Sequence, residues 1–438
     1  MFLSKLTWQA YSRFAARPVA ELEDFSALDP SARRQSAARC LLAQLRYFGT
    51  RPDALPEWRE ASRIEDPDEA WKIFPLLPIV TKRLLNTRFD PDEMQRRFKL
   101  KGRVLSTGGS TGEPTRFLLD VPMLRAARSS QFYSRVRMGW RPGMPTVIVW
   151  GSERDIGKQT GILRQAARWF YRDRVISGFG ISDEAVESVQ KIIRTEAPVA
   201  IYGYSSLLEH VAERTLALGR QIPAGRVVAA WNGGEMLYSG QVELFRRAFG
   251  VPILNRYGGR ELSVTAFQEA EGLPLRLVRP WLFAEIVDDA GKPTAPGEIG
   301  RLIITSTICR GTPFLRYDIG DLAEYGRQDF DESGIHSLSA VHGRHAGSLR
   351  LRDGRMISCL YWNHLMKDYP EVTQFQVRVP SNGNISILLV GGGFSNGREA
   401  HLKTAIKPLL REQPVDLVWT KMIPRTAQGK LVQVVVEQ

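Results

Sequence analysis

A chain of 438 residues, 43% hydrophobic and 24% charged, holds enough material for one large core and a smaller second domain, which excludes a disordered or fibrous protein. Lys and Arg number 60 against 47 Asp and Glu, a formal net charge of +13 that favours anionic partners. Nucleic acid is set aside, because no basic run is interleaved with aromatics, and Cys40, Cys309 and Cys359 lie too far apart for a Cys-based zinc site or a disulfide framework.

Those isolated cysteines suit the reduced thiols of a cytoplasm, which is the expected location. No apolar run reaches the length of a membrane span. The first stretch, MFLSKLTWQAYSRFAARPV, reads as a basic amphipathic helix with Leu3, Leu6, Tyr11 and Phe14 on one side. Docking on its own domain is the expected use of that helix, and weak contact with a membrane surface is the other. The first hundred residues read as mainly helical, broken at LDPSARR, RPDALPEW and FPLLPIVTK.

Two short strand-like runs, RVLSTGG and TRFLLD, then flank LSTGGSTGEPTRF, where glycines and hydroxyl residues crowd together from Leu105 to Phe117. Glycine frees backbone N–H groups to form an anion nest, and Ser and Thr hydroxyls add donors around it, so phosphate is the expected ligand, an ordinary surface loop being the other reading. A Walker-type loop is excluded. Glu113 stands where its Lys should follow Gly112, and a strand follows where that motif needs a helix.

Further on, apolar strands alternate with helices. TVIVWG, VAIYGY and RVVAAWNGGE read as strands, DEAVESVQKIIRTEA as a helix with Val186, Val189, Ile192 and Ile193 inward, and SLLEHVAERTLALG as a helix closed by Gly219. QVELFRRAFG and VPILNRYGG continue the order as helix and strand, predicting a layered α/β domain. From Trp281 the reading turns to β. After HGRHAG the segments NISILLVGGG, REAHLKTAIKPLLREQ and VDLVWTKMIP read as strand, helix and strand, with a last strand in RTAQGKLVQVVVE. The domain boundary is expected at His342–Gly343, dividing the chain into 1–342 and 343–438.

Five motifs follow the loop just described: WNGGEML (Trp231–Leu237), NRYGGREL (Asn255–Leu262), LRYDIGDLA (Leu315–Ala323), GRHAG (Gly343–Gly347) and IPRTAQGKL (Ile423–Leu431). In this order they resemble the adenylate-forming superfamily of acyl-CoA synthetases and peptide-synthetase adenylation domains. The phenylacetate–CoA ligase and CapK-like branch is the nearest in pattern, and LPIVTKRLL ahead of the loop also looks like it. The resemblance implies a large N-terminal α/β domain with a small mobile α+β domain over it. It implies attack by a carboxylic acid on the α-phosphate of ATP to give an acyl-adenylate, then transfer to a thiol, with ATP and Mg²⁺ required and coenzyme A as the expected co-substrate.

By the same resemblance, Thr107, Gly108, Gly109, Ser110, Thr111 and Gly112 would hold the terminal phosphates, and Glu261 would bind Mg²⁺. Tyr257 and Gly258, with Gly233, Gly234 and Glu235, would line the adenine site, where missing side chains let the base approach the backbone. Asp321 would accept the ribose hydroxyls, Arg344 would lie near the ribose at the hinge, and Lys430 would enter from the small domain to meet carboxylate and α-phosphate. Trp150, Tyr202, Tyr204 and Trp231 are expected to shape the acyl pocket. Relatives usually carry acidic residues just after the hinge Gly-Arg. Here His345, Ala346 and Gly347 follow, so a carrier-protein thiol, an amine or a sugar hydroxyl stands beside coenzyme A as acceptor, and a non-catalytic nucleotide-binding descendant is the remaining reading.

Overall fold

Asp-Pro dipeptides set the N-terminal helices. Asp29, Asp66 and Asp90 each cap a helix that starts at the next residue, Pro30–Gly49, Pro67–Ile73 and Pro91–Arg97, their carboxylates accepting backbone N–H bonds of the first turn. Proline is preorganised for that turn and has no N–H to leave unpaired, so the break read at LDPSARR is the boundary at which Pro30 opens a helix. The helices bury Leu41, Leu45, Phe48 and Trp58. Trp58 stacks on Phe89 with ring centroids 5.8 Å apart.

The computed structural model describes residues 19–107, 115–150, 172–177, 183–234, 237, 239–344, 349–350, 356–357, 362, 365–366, 369, 371–379, 384–395, 397–410, 413–423 and 434–436. The N-terminal amphipathic stretch therefore lies outside the described residues. The chain is α/β. Its central parallel sheet runs in the order Asp173–Ser177, Thr146–Trp150, Val199–Gly203, Val227–Asn232. The helices Asp183–Glu196 and Ser205–Ala217 connect its strands, Ser239–Phe249 follows the last of them, and all three share a core with it through Val186, Val189, Ile193, Val211 and Phe245. Parallel strands buried on both faces read as continuous apolar runs, and such sheets present ligands at the carboxyl ends of their strands. Here those ends are Trp150, Ser177, Gly203 and Asn232.

Two antiparallel sheets follow. One has the order Ser337–Leu338, Leu275–Leu277, Ser263–Phe267, Arg256–Gly259, and the other the order Leu282–Val287, Gly300–Ser306, Tyr317–Glu324, Ala340–Arg344. This corrects the strand predicted over VPILNRYGG. Leu254 touches the parallel sheet by one isolated bridge to Trp231, after which the chain leaves for the antiparallel hairpin. A further core draws on residues from Trp362 to Val434. Its sheet has the order Val415–Trp419, Ile385–Gly391, Val372–Val379, Val434–Val436, with the helix Arg398–Leu410. Among the described residues no helix is long and apolar enough to cross a membrane.

Candidate functional site

The glycine-rich stretch is carried by a hairpin, as its flanks suggest: Gly102–Ser106 pairs antiparallel with Arg116–Asp120. At its neck the Thr107 N–H donates to the Thr115 carbonyl at 2.9 Å, and the Thr115 N–H donates back to Thr107 Oγ1 at 3.0 Å. Thr107 therefore closes the base of the loop. Gly108, Gly109, Ser110, Thr111, Gly112 and Glu113 lie outside the described residues. Arg260 Nη1 donates to the Ser106 carbonyl at 3.3 Å, which joins the loop base to the turn carrying Glu261.

That turn connects Arg256–Gly259 to Ser263–Phe267 and is tightly built. A Cβ on Gly258 would lie 2.1 Å from the Ser263 carbonyl oxygen, so only glycine fits. Ser263 adopts a positive φ of 62°, and its Oγ donates to the Ala127 carbonyl at 3.1 Å, tying the turn to the helix Val121–Arg137. Glu261 is 5% exposed. Tyr317 Oη donates to its Oε1 at a long 3.5 Å. A carboxylate has about four acceptor sites, and one weak donor leaves Glu261 with the hard-oxygen character that suits Mg²⁺. No group of three or more His, Cys, Asp or Glu side chains able to hold a metal occurs among the described residues.

Tyr257 and Asp321, assigned by resemblance to base and ribose, touch each other. Tyr257 Oη donates to Asp321 Oδ2 at 2.6 Å, a short charge-assisted bond between two different sheets. Asp321 follows Gly320, whose φ is +85° and whose N–H donates to Asp318 Oδ1 at 2.9 Å. In the neighbouring strand Asp321 is paired with Arg344.

The four aromatic residues expected in the acyl pocket form one group. Trp150 stacks on Tyr204 at 4.1 Å and lies 5.3 Å from Tyr202, which stacks on Trp231 at 6.1 Å. Trp231 is fully buried and the other three are partly exposed. Their rings explain the glycines of WNGGE. A Cβ on Gly233 would come within 2.8 Å of Tyr202 Oη, and one on Gly234, at a φ of +78°, within 2.6 Å of the Tyr204 ring. A side chain at either position would therefore meet a tyrosine ring. Glu235 and Lys430 lie outside the described residues, as does the Arg344 side chain.

Three further residues hold the site together and carry no role in the sequence reading. Asn232, fully buried, donates from Nδ2 to Ser205 Oγ at 2.9 Å and accepts the Arg256 N–H on Oδ1 at 2.9 Å. It pins the end of the parallel sheet to a helix start and to the hairpin. The Arg256 guanidinium lies 4.3 Å over the Tyr202 ring. Burial pushes its pKa below the usual arginine value, Tyr202 opposing that and Arg135 adding to it. Tyr317 supports Glu261 as described. Asn232 and Tyr317 stand inside motifs visible in the sequence, but their partners are distant in the chain.

No protein-family model matches the chain. Among curated proteins it is 23% identical to protein CapK of Staphylococcus aureus over 292 residues, which is 64% of this chain and spans 61% of that relative's length. Among solved structures it is similar to a 2-hydroxyisobutyryl-CoA ligase in the postadenylation state in complex with R3-HIB-AMP. That match has a TM-score of 0.64 at 16% identity, covering 94% of this chain and 91% of the other. The same ligase in complex with 2-HIB-AMP and CoA in the thioesterification state gives a TM-score of 0.57 at 17% identity, with 94% and 91% covered. The O-succinylbenzoate coenzyme A synthetase of Bacillus subtilis, in complex with AMP, gives 0.51 at 17% identity, covering 75% of this chain and 67% of that one. At such identities the likeness is one of fold. A parallel sheet with aromatic residues at its carboxyl ends, a glycine-rich hairpin and a second sheet bringing Asp321 to Tyr257 are here built on the fold of the adenylate-forming acyl-CoA ligases.

Proposed function

We propose that the protein activates a carboxylic acid, aryl or acyl, with ATP and passes the acyl group to a thiol, coenzyme A being the expected acceptor. The observation that carries this reading is the 2.6 Å contact between Tyr257 and Asp321, 64 positions apart, on a fold shared with ligases solved with acyl-AMP and AMP. In the first step a carboxylate oxygen of the acid bonds to the α-phosphorus of ATP and the bond to pyrophosphate breaks. In the second a thiolate attacks the acyl carbonyl and AMP leaves.

Both steps gather negative charge, so the site must offer fixed donors and cations. Thr107, Ser110, Thr111 and the N–H groups of Gly108, Gly109 and Gly112 would cradle the terminal phosphates. Glu261 would hold Mg²⁺ against them, where the cation offsets phosphate charge. Tyr257, Gly258, Gly233, Gly234 and Glu235 would flank the base, with Asp321 and Arg344 at the ribose. Trp150, Tyr202, Tyr204 and Trp231 would enclose the apolar part of the acid. Lys430, on a second domain taken to begin at Gly343, would bring its ammonium to the carboxylate and α-phosphate.

ATP–pyrophosphate exchange with a panel of aryl and aliphatic acids tests the first step. Adding coenzyme A and searching for the thioester by mass spectrometry tests the second. We expect exchange with at least one acid, lost in Lys430→Ala while the fold is retained. Absence of exchange with every acid, or undiminished exchange in Lys430→Ala, would defeat the reading.

A further inference from the structure

Away from the residues discussed so far, a cavity of about 340 Å³ opens beside the strand Leu275–Leu277, under the helical turn that carries Phe25 and Ser26. In its sheet this strand is separated from Arg256–Gly259 by Ser263–Phe267, and no residue assigned to the nucleotide lines the cavity. Its size is at the small end of ligand cavities, which run roughly 300–1,000 Å³.

The charges of its wall do not cancel. Arg33 is paired with Asp331 at 3.0 Å. Glu269 accepts from Arg137 at 2.8 Å and from Arg276 at 2.9 Å. Burial pushes the Glu269 carboxyl up, yet the two guanidiniums hold it below the usual carboxylate range, so it stays ionised and doubly compensated. Arg279 has no carboxylate of its own. It is 5% exposed, donates from Nη2 to the Ser333 carbonyl at 2.6 Å, and lies 5.3 Å from the Phe25 ring and 5.1 Å from the Phe283 ring. Its Nε and Nη1 have no hydrogen-bond partner. Burial lowers its pKa to about 10, Asp331 opposing and Arg33 assisting, so the group is still a cation at neutral pH.

A buried guanidinium with two unmade hydrogen bonds is costly unless an anion completes it. We propose that this cavity is a second ligand site, separate from the nucleotide, that binds a small monocarboxylate with its head at Arg279. Within the wall Glu269 is matched by Arg276, Arg137 lying outside it, and Arg33 is matched by Asp331, so Arg279 is the wall cation without a carboxylate and calls for one negative charge. The remaining wall, Phe25, Leu273, Pro274 and Leu277, is apolar and calls for a short hydrocarbon body, which a phosphate ion lacks. His336 also lines the cavity and reports on it without reporting on the nucleotide site.

The test follows the imidazole NMR signals of the six histidines, with His336 assigned through His336→Gln, while hexanoate is titrated into the full-length protein. Hexanoate should shift the His336 signal saturably, and inorganic phosphate at the same concentration should leave it unmoved. Arg279→Met should weaken the hexanoate response by about tenfold or more, as for loss of a charged hydrogen bond. Leu273→Trp, at a position 49% exposed and so tolerant of change, should block the cavity to a similar degree, and it decides the matter if Arg279→Met does not fold. A His336 signal indifferent to hexanoate, an equal response to phosphate, or wild-type affinity in the folded variants would each overturn the proposal.

Discussion

The bond from Tyr257 to Asp321 makes the ribose assignment open to a quantitative test. Asp321→Ala removes the acceptor proposed for two ribose hydroxyls, and each hydrogen bond to a charged group is worth roughly 1.5–3 kcal/mol, about 10- to 150-fold in affinity. Water takes over part of the work in the variant, so we expect AMP to bind about 100-fold more weakly, read by isothermal titration calorimetry. Tyr257→Phe keeps the ring and takes from Asp321 only the donor at 2.6 Å, so its loss should stay within about tenfold. Deoxyribonucleotides close the cycle. Wild-type protein should prefer AMP to its 2′- and 3′-deoxy forms, and Asp321→Ala should lose that preference. A loss of AMP affinity below about threefold, or a deoxy preference that survives the substitution, would refute the ribose role.

Other predictions concern the frame around the site. Arg316 is 3% exposed and pairs at 3.0 Å with Glu285, itself 20% exposed, so Arg316→Met should cost roughly 3–5 kcal/mol by leaving that carboxylate buried alone. Burial already raises the Glu285 pKa against the pull of Arg316. A carboxyl whose pKa is raised by folding holds its proton to higher pH in the folded chain than in the unfolded one, so its ionisation costs stability as pH rises. The deficit of the variant in urea denaturation should therefore be smaller at pH 5 than at pH 8, and equal deficits would contradict this. Gly258→Ala, which drives a Cβ against the Ser263 carbonyl, should cost about 1–3 kcal/mol in thermal unfolding, whereas Gly240→Ala, with nothing within 4 Å, should be near neutral. Cys309 is fully buried and its thiol is pushed up to about 12, by burial first and Asp120 second. Iodoacetamide at pH 8 should leave its peptide unmodified in folded protein and alkylate it in urea, and equal labelling in both would count against that burial.

Much of the framework is legible in the chain because parallel strands buried on both faces leave unbroken apolar runs such as TVIVW and VAIYG. Asp173–Ser177 escapes that reading. It is the edge strand among the described residues, and polar residues stand there with long-range partners: Asp173 meets Arg135 at 3.5 Å and Arg174 meets Glu196 at 2.8 Å. The breaks read at LDPSARR, RPDALPEW and FPLLPIVTK are interruptions between helices, and the cap geometry adds that Pro30 and Pro56 open the helices that follow. At the site, the resemblance of the ordered motifs pointed to Tyr257, Glu261 and Asp321, but nothing local says that Tyr257 meets Asp321. Asn232, Arg256 and Tyr317 act through partners 24 to 56 positions away, a separation that periodicity does not encode.

Asp321 stands opposite Arg344 in the last strand before the chain passes toward its C-terminal part. One rung of backbone therefore couples the acid beneath the proposed sugar to the point of departure of everything that follows. A twist imposed on that departing strand would tilt the Asp321 carboxylate, and a sugar clamped there would stiffen the strand in return. Ligand grip and the bearing of the C-terminal part would then be two readings of the same torsion.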